Sequence, residues 1–173
     1  MATKQNYLDV AGMMFHELRQ IKRFTEDVRA MDSRDRPADE LIIARMLTSV
    51  KQRCNTPIRN KIHLHRDLYV DKIKTAINIW EHITPIDIAW SYAQTLDLDS
   101  EEDLKKLAEI LREYIFVRAL VSPSDNALIN SYYTNSKNEM PKGWKFGDCR
   151  FERYKCLGEE VVNDLKAQMG NMK

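Results

Sequence analysis

"LDLDSEEDLKKLAEILREYIFVRALVS", Leu96 to Ser122, carries the strongest helical signal in the chain. Ser100 stands where an N-cap is expected, and Asp103 takes the acid position of a capping box. Glu101 and Glu102 place further negative charge at the positive end of the helix dipole. Leu104, Leu107, Ala108, Leu111 and Ile115 then recur at helical spacing, with Leu120 continuing the row. The acidic run lacks the central glycine and the twelfth-position glutamate of a calcium loop, so helix initiation is its simpler use.

The same periodicity extends outward from this stretch. Tyr7, Ala11, Met14, Leu18, Ile21, Thr25 and Val28 alternate in steps of four and three, widened by Leu8, Phe15 and Phe24. This predicts a first helix to about Met31. Its seam is expected to pack on the chain's own helices, with a homo-oligomer through the N-terminal helix as the alternative. Asp35 and Pro37 open a second helix through "LIIARMLTSVKQR". Thr56 and Pro57 restart the chain, and no glycine or proline follows before Thr84, which predicts one long helix. Thr84 and Pro85 open a shorter helix to about Leu96. Downstream, "SPSD" is expected to end the helix begun at Ser100, "NALINSYY" to form a short one, and "GEEVVNDLKAQMG" to close the chain as another. Residues 134–155 are less regular, and "KGWKFGDCRFERY" suggests a small β-hairpin turning at Gly147 and Asp148. The expected fold is therefore mainly α: one domain over residues 1–173, a bundle of about six or seven helices with an irregular segment or hairpin near the C-terminus.

Composition narrows the function classes. The 173 residues suffice for one domain with a real core. With 43% hydrophobic and 31% charged residues, the chain is of soluble globular type and not disordered. A formal net charge of +1 excludes a protein held to DNA by overall charge, though not by a local patch. Cys54, Cys149 and Cys156 form no CxxC pair and read as reduced thiols. Asp9, His16 and Glu17 interrupt any leader-like apolar run, and no stretch of about 18 apolar residues exists. The expectation is a cytoplasmic protein without a membrane segment.

Basic residues are concentrated in one segment. Arg45, Lys51, Arg53, Arg59, Lys61, Arg66, Lys72 and Lys74 face only Asp67 and Asp71 between them. On one long helix, Arg59, His63, Arg66 and Lys74 share a side, while His65 falls in the apolar row with Ile62 and Tyr69. Such a face can follow a phosphate backbone or an acidic partner surface. An ordinary solvated helix face would carry the same residues. A second contact surface is expected in the tail, where Trp144, Arg150, Arg153 and Lys155 interleave aromatics with cations. The same tail aromatics can instead pack the C-terminal segment onto the helices.

Catalytic motifs are weaker. "HRDL", His65 to Leu68, has Lys72 where a kinase needs its magnesium-binding asparagine, and no glycine-rich loop precedes it. His16 and Glu17 begin an HExxH motif that Gln20 breaks. No metal or cofactor is expected. Arg59 and His65, with five residues between them, resemble the signature of HEPN-domain ribonucleases, which are helical proteins of about this size. That resemblance covers seven residues and implies metal-independent RNA cleavage, usually across a dimer. His65 would move the proton and Arg59 would hold the scissile phosphate. "RFERYKCLGEE", Arg150 to Glu160, is similar to a segment of type II topoisomerase ATPase subunits, but Cys156 replaces its glycine and the acidic metal motifs are missing. The leading expectation is a non-enzymatic binding or regulatory protein that docks on a nucleic acid or nucleoprotein complex. The ribonuclease is the first alternative, and a protein-only assembly subunit is the second.

Overall fold

The computed structural model describes residues 3–30, 41–46, 48–49, 66–70, 78–133 and 139–172. The chain is mainly helical, with one small sheet. It divides into two compact units, one of Met1–Leu64 with Tyr92–Glu109 and one of His65–Ser91 with Ile110–Lys173.

In the first unit, helix α1 spans Lys4–Ala30. The expected seam is its buried side: Tyr7, Ala11, Met14, Leu18 and Ile21 are all buried, with Val10 and Phe15 beside them. The seam is thus covered within a single chain. Residues 41–46 and 48–49 are also helical. Arg19 on α1 reaches the 97–99 turn, with its Nε 3.0 Å from Asp99 Oδ1 and its Nη2 bonded to the Leu98 carbonyl. Ser100 caps as expected, accepting from the Asp103 N–H at 3.2 Å. Asp103 reaches back to the Asp97 N–H at 3.0 Å, so the capping box closes three residues further out than usual.

The second unit is built on a three-stranded sheet of β1 (Arg66–Tyr69), β2 (Ile79–His82) and β3 (Val117–Val121). Their order is β1-β3-β2, with β1 parallel and β2 antiparallel to the central β3. Leu68, Val117, Ala119 and Val121 point inward and are essentially inaccessible. They join Ile83, Ile129, Phe151, Tyr154, Val161, Val162 and Leu165 in one core. Its covering elements are α4 (Pro123–Tyr132), a 3-10 turn (Glu152–Leu157) and α5 (Glu159–Gly170). Two further helices precede them in sequence, α2 (Ile86–Ala93) and α3 (Glu101–Ile110). A π-helical turn, Leu111–Ile115, follows α3.

Four local expectations are corrected. The long helix from Pro57 to Thr84 does not exist as such, because it contains β1 and β2. Lack of glycine and proline permits a helix but does not require one, and runs of four residues fit either period. The helix begun at Ser100 stops before Val117, where "VRALV" alternates as a strand, so Leu120 lies on the opposite face from the buried Ala119 and Val121. The expected hairpin at Gly147 and Asp148 is only an isolated bridge between Phe146 and Asp148. Thr84 does not cap α2 either: its hydroxyl is buried without a hydrogen-bond partner among the described residues.

Candidate functional site

One cation from each of the two expected surfaces, Arg66 and Arg150, reaches Glu113. The π turn sets Leu111 and Ile115 into the core and leaves Arg112, Glu113 and Tyr114 between them at the surface. Its end is closed by the Phe116 N–H donating to the Leu111 carbonyl at 2.9 Å. Such π turns are common at functional sites.

Three guanidinium groups converge on the Glu113 carboxylate. Arg150 Nη1 lies 2.8 Å from Oε2, Arg112 Nε 2.9 Å from Oε1, and Arg66 Nη2 3.7 Å from Oε1. Arg66 also donates to the Arg112 carbonyl, and Arg150 to the Glu113 carbonyl. These are the carbonyls a helix end leaves unsatisfied, and cations there also complement the dipole. Burial pushes the Glu113 acidity toward a higher pKa. The Arg150 hydrogen bond and the charges of Arg66, Arg150 and Arg112 outweigh it, so the carboxyl sits below its ordinary value.

The aromatic half of the site is built on Tyr114. Arg150 stacks over its ring with Cζ 5.1 Å from the centroid, and its hydroxyl accepts from the Gly147 N–H at 2.9 Å. Trp144 and Phe146 stand edge-on to Tyr114 at 5.8 and 5.2 Å, and to each other at 5.2 Å. The loop can wrap this way because Gly143 and Gly147 take left-handed φ values of 85° and 109°. Trp144 Nε1 donates to the Cys149 carbonyl at 2.9 Å, and Asp148 accepts from the Lys145 N–H at 2.9 Å. Beside Trp144 lies an open hollow of about 380 Å³, with Lys142, Asp148 and Glu152 in its wall. Its charges are mixed, and Cys149 also lines it.

Of the residues singled out by sequence, Arg66, Trp144 and Arg150 are brought together. Arg66 is not on a basic helix face: it lies in β1, on the same side of the strand as the buried Leu68. Arg45 is exposed on the helical residues 41–46. Lys51, Arg53, Arg59, Lys61, His63, His65 and Lys74 lie outside the described residues, so the HEPN-like pair has no observed geometry. Lys155 is exposed and paired with Glu152 at 2.6 Å. Arg153 is buried. Its side chain is 1% exposed, 3.5 Å from Glu81, and its Cζ lies 5.6 Å from the Tyr133 ring centroid. Phe151 and Tyr154 take the packing role open to the tail aromatics, inside the core. Cys149 and Cys156 are free thiols. The topoisomerase-like stretch folds as the 3-10 turn, then passes through Gly158 at φ 121° into α5.

Sequence reasoning missed Arg112, Glu113 and Tyr114. The available signal was "YIFV", Tyr114 to Val117, whose three consecutive apolar residues cannot all face one side of a helix. Among the described residues, no three His, Cys, Asp or Glu side chains gather as a metal site requires. No described helix is long and apolar enough to cross a membrane. Compared with known protein families, curated proteins and solved structures, the chain matches none.

Proposed function

We propose that this chain is a non-enzymatic, cytoplasmic binding protein that docks on nucleic acid, free or within a nucleoprotein complex, through the cluster around Glu113. The observation that carries the reading is the convergence of Arg66, Arg112 and Arg150 on one carboxylate beside Tyr114, Trp144 and Phe146. Arginine presents a planar fork that matches phosphate geometry, and here the forks are held in place by backbone carbonyls and a shared acid. Pre-positioning lowers the entropy lost on binding. Aromatic edges and faces beside cations suit a backbone that also carries bases. The basic run at Arg45–Lys74 remains a second contact surface in this reading, without its single-helix geometry.

The test is fluorescence anisotropy of labelled RNA and DNA oligonucleotides at about 50 mM salt, where phosphate contacts are strong. Arg112 is the most exposed of the three, at 41%. Arg112→Glu is expected to weaken binding at least about tenfold with an unchanged circular-dichroism spectrum. A wild-type protein that binds neither nucleic acid at this salt ends the proposal.

A further inference from the structure

A separate surface lies on the outer face of the sheet. The pleat turns Asp67, Tyr69, Trp80, His82, Arg118 and Leu120 away from the core. The register places them in two rows across the strands. Tyr69 stands opposite Leu120, which stands opposite Trp80, and Asp67 stands opposite Arg118, which stands opposite His82. Tyr69 is 53% exposed and Trp80 38%, although both are large apolar groups that folding would ordinarily cover. Their rings touch above Leu120, with centroids 6.0 Å apart and planes at 66°. Arg118 lies over Trp80 with Cζ 4.9 Å from the ring centroid. Asp67 fixes that guanidinium by accepting from Nε at 3.2 Å and from Nη2 at 3.0 Å. Nη1 keeps no hydrogen-bond partner among the described residues.

We infer that this face is a stacking platform for unpaired bases of a single-stranded nucleic acid, with Tyr69 and Trp80 as the stacking rings and Arg118 as the phosphate contact. The inference rests on the nucleic-acid reading above but uses different residues. Two properties of the face select this occupant over a protein. The accessible part of the two rings is on the order of 200 Å². A stable protein interface needs about 800 Å² per partner, whereas one or two bases fit the smaller area. Strand addition at β1 is also blocked. The Gln168 side chain receives the Tyr69 N–H at 2.8 Å and donates to the Tyr69 carbonyl at 2.6 Å, taking the place of a neighbouring strand. Charge agrees as well, since Arg118 covers one face of Trp80 and its Nη1 offers a donor for the phosphate of a base stacked on the exposed part of the ring pair. A duplex presents no free base faces, so the platform discriminates single from double strands.

The 173-residue chain is titrated into a labelled single strand of about twelve nucleotides, as RNA and as DNA, and into the matching duplexes, a length within one small-domain site. Tyr69→Ala and Trp80→Ala are each expected to weaken single-strand binding between about fivefold and a hundredfold, with duplex binding nearly unchanged. Tyr69→Phe and Trp80→Phe keep a π face and are expected to retain most of the affinity, which separates stacking from a folding defect. RNA bound tighter than DNA would identify RNA as the source, and the reverse order would identify DNA. Single-strand affinity that falls with Arg112→Glu but stays within twofold in both alanine variants overturns the platform and leaves the Glu113 cluster standing. Wild-type protein that binds no oligonucleotide overturns both.

Discussion

Glu113 carries the most consequence of any single residue. Its carboxylate organises three arginines, and two of those arginines also satisfy carbonyls at the end of the π turn. Its folded pKa lies below the unperturbed 4.5. A carboxylate so depressed adds stability that is complete above the unfolded value and disappears as pH falls through the folded one. Glu113→Gln keeps the shape and loses the charge. At pH 7 we expect it to cost about 1.5–3 kcal/mol, the range for hydrogen bonds to charged groups. Below pH 4.5 the unfolded wild type takes up a proton that the folded form resists, and the gap between the two proteins should narrow. Urea denaturation of both at pH 7 and at about pH 3 measures this. An equal gap at the two pH values would show that the charge of Glu113 contributes nothing.

At the scale of elements, legibility followed the length of the periodic pattern. α1 has 27 residues, and five buried positions of its seam match the sequence spacing one for one. β1 and β2 have four residues each, too few to separate a period of 2 from 3.6, and the sheet exists because β3 pairs with both. The candidate site was half legible for the same reason. Trp144 and Arg150 announce themselves by chemistry, but the partners Glu113 and Tyr114 are hidden inside what reads as continuous helix. Cap chemistry was visible but assigned to the wrong end. "SPSD" opens α4 and terminates nothing: Ser122 accepts from the Asp125 N–H at 3.1 Å and donates to Asp125 Oδ2 at 2.9 Å, with Pro123 at the first helical position. Ser122 is also 3% exposed, so water cannot replace it easily. Ser122→Ala should therefore lower stability by about 1–2 kcal/mol, the upper half of the range for lost caps, read from the urea midpoint. A midpoint unchanged by the substitution would mean that α4 is held by its packing on the 3-10 turn alone.

For the molecule as a whole, charge balance limits how nucleic acid could be held. The chain has 27 lysines and arginines against 26 aspartates and glutamates, so no long-range field of one sign draws a polyanion to it. Attraction must come from local contacts within a Debye length of about 8 Å at physiological salt. Each neutralised phosphate on a single strand releases roughly 0.7 counterion. If Arg66, Arg112, Arg150 and Arg118 are the contacts, log K against log salt should fall with a slope of about −2 to −3. A slope steeper than about −5 would require more cations than these, and the basic run from Arg45 to Lys74 is where the sequence supplies them. The slope therefore counts the phosphate contacts and decides between the compact cluster and a long cationic track. A slope near zero, with binding still present, would mean that no phosphate is touched, and the docking role assigned to the arginines would fall with it.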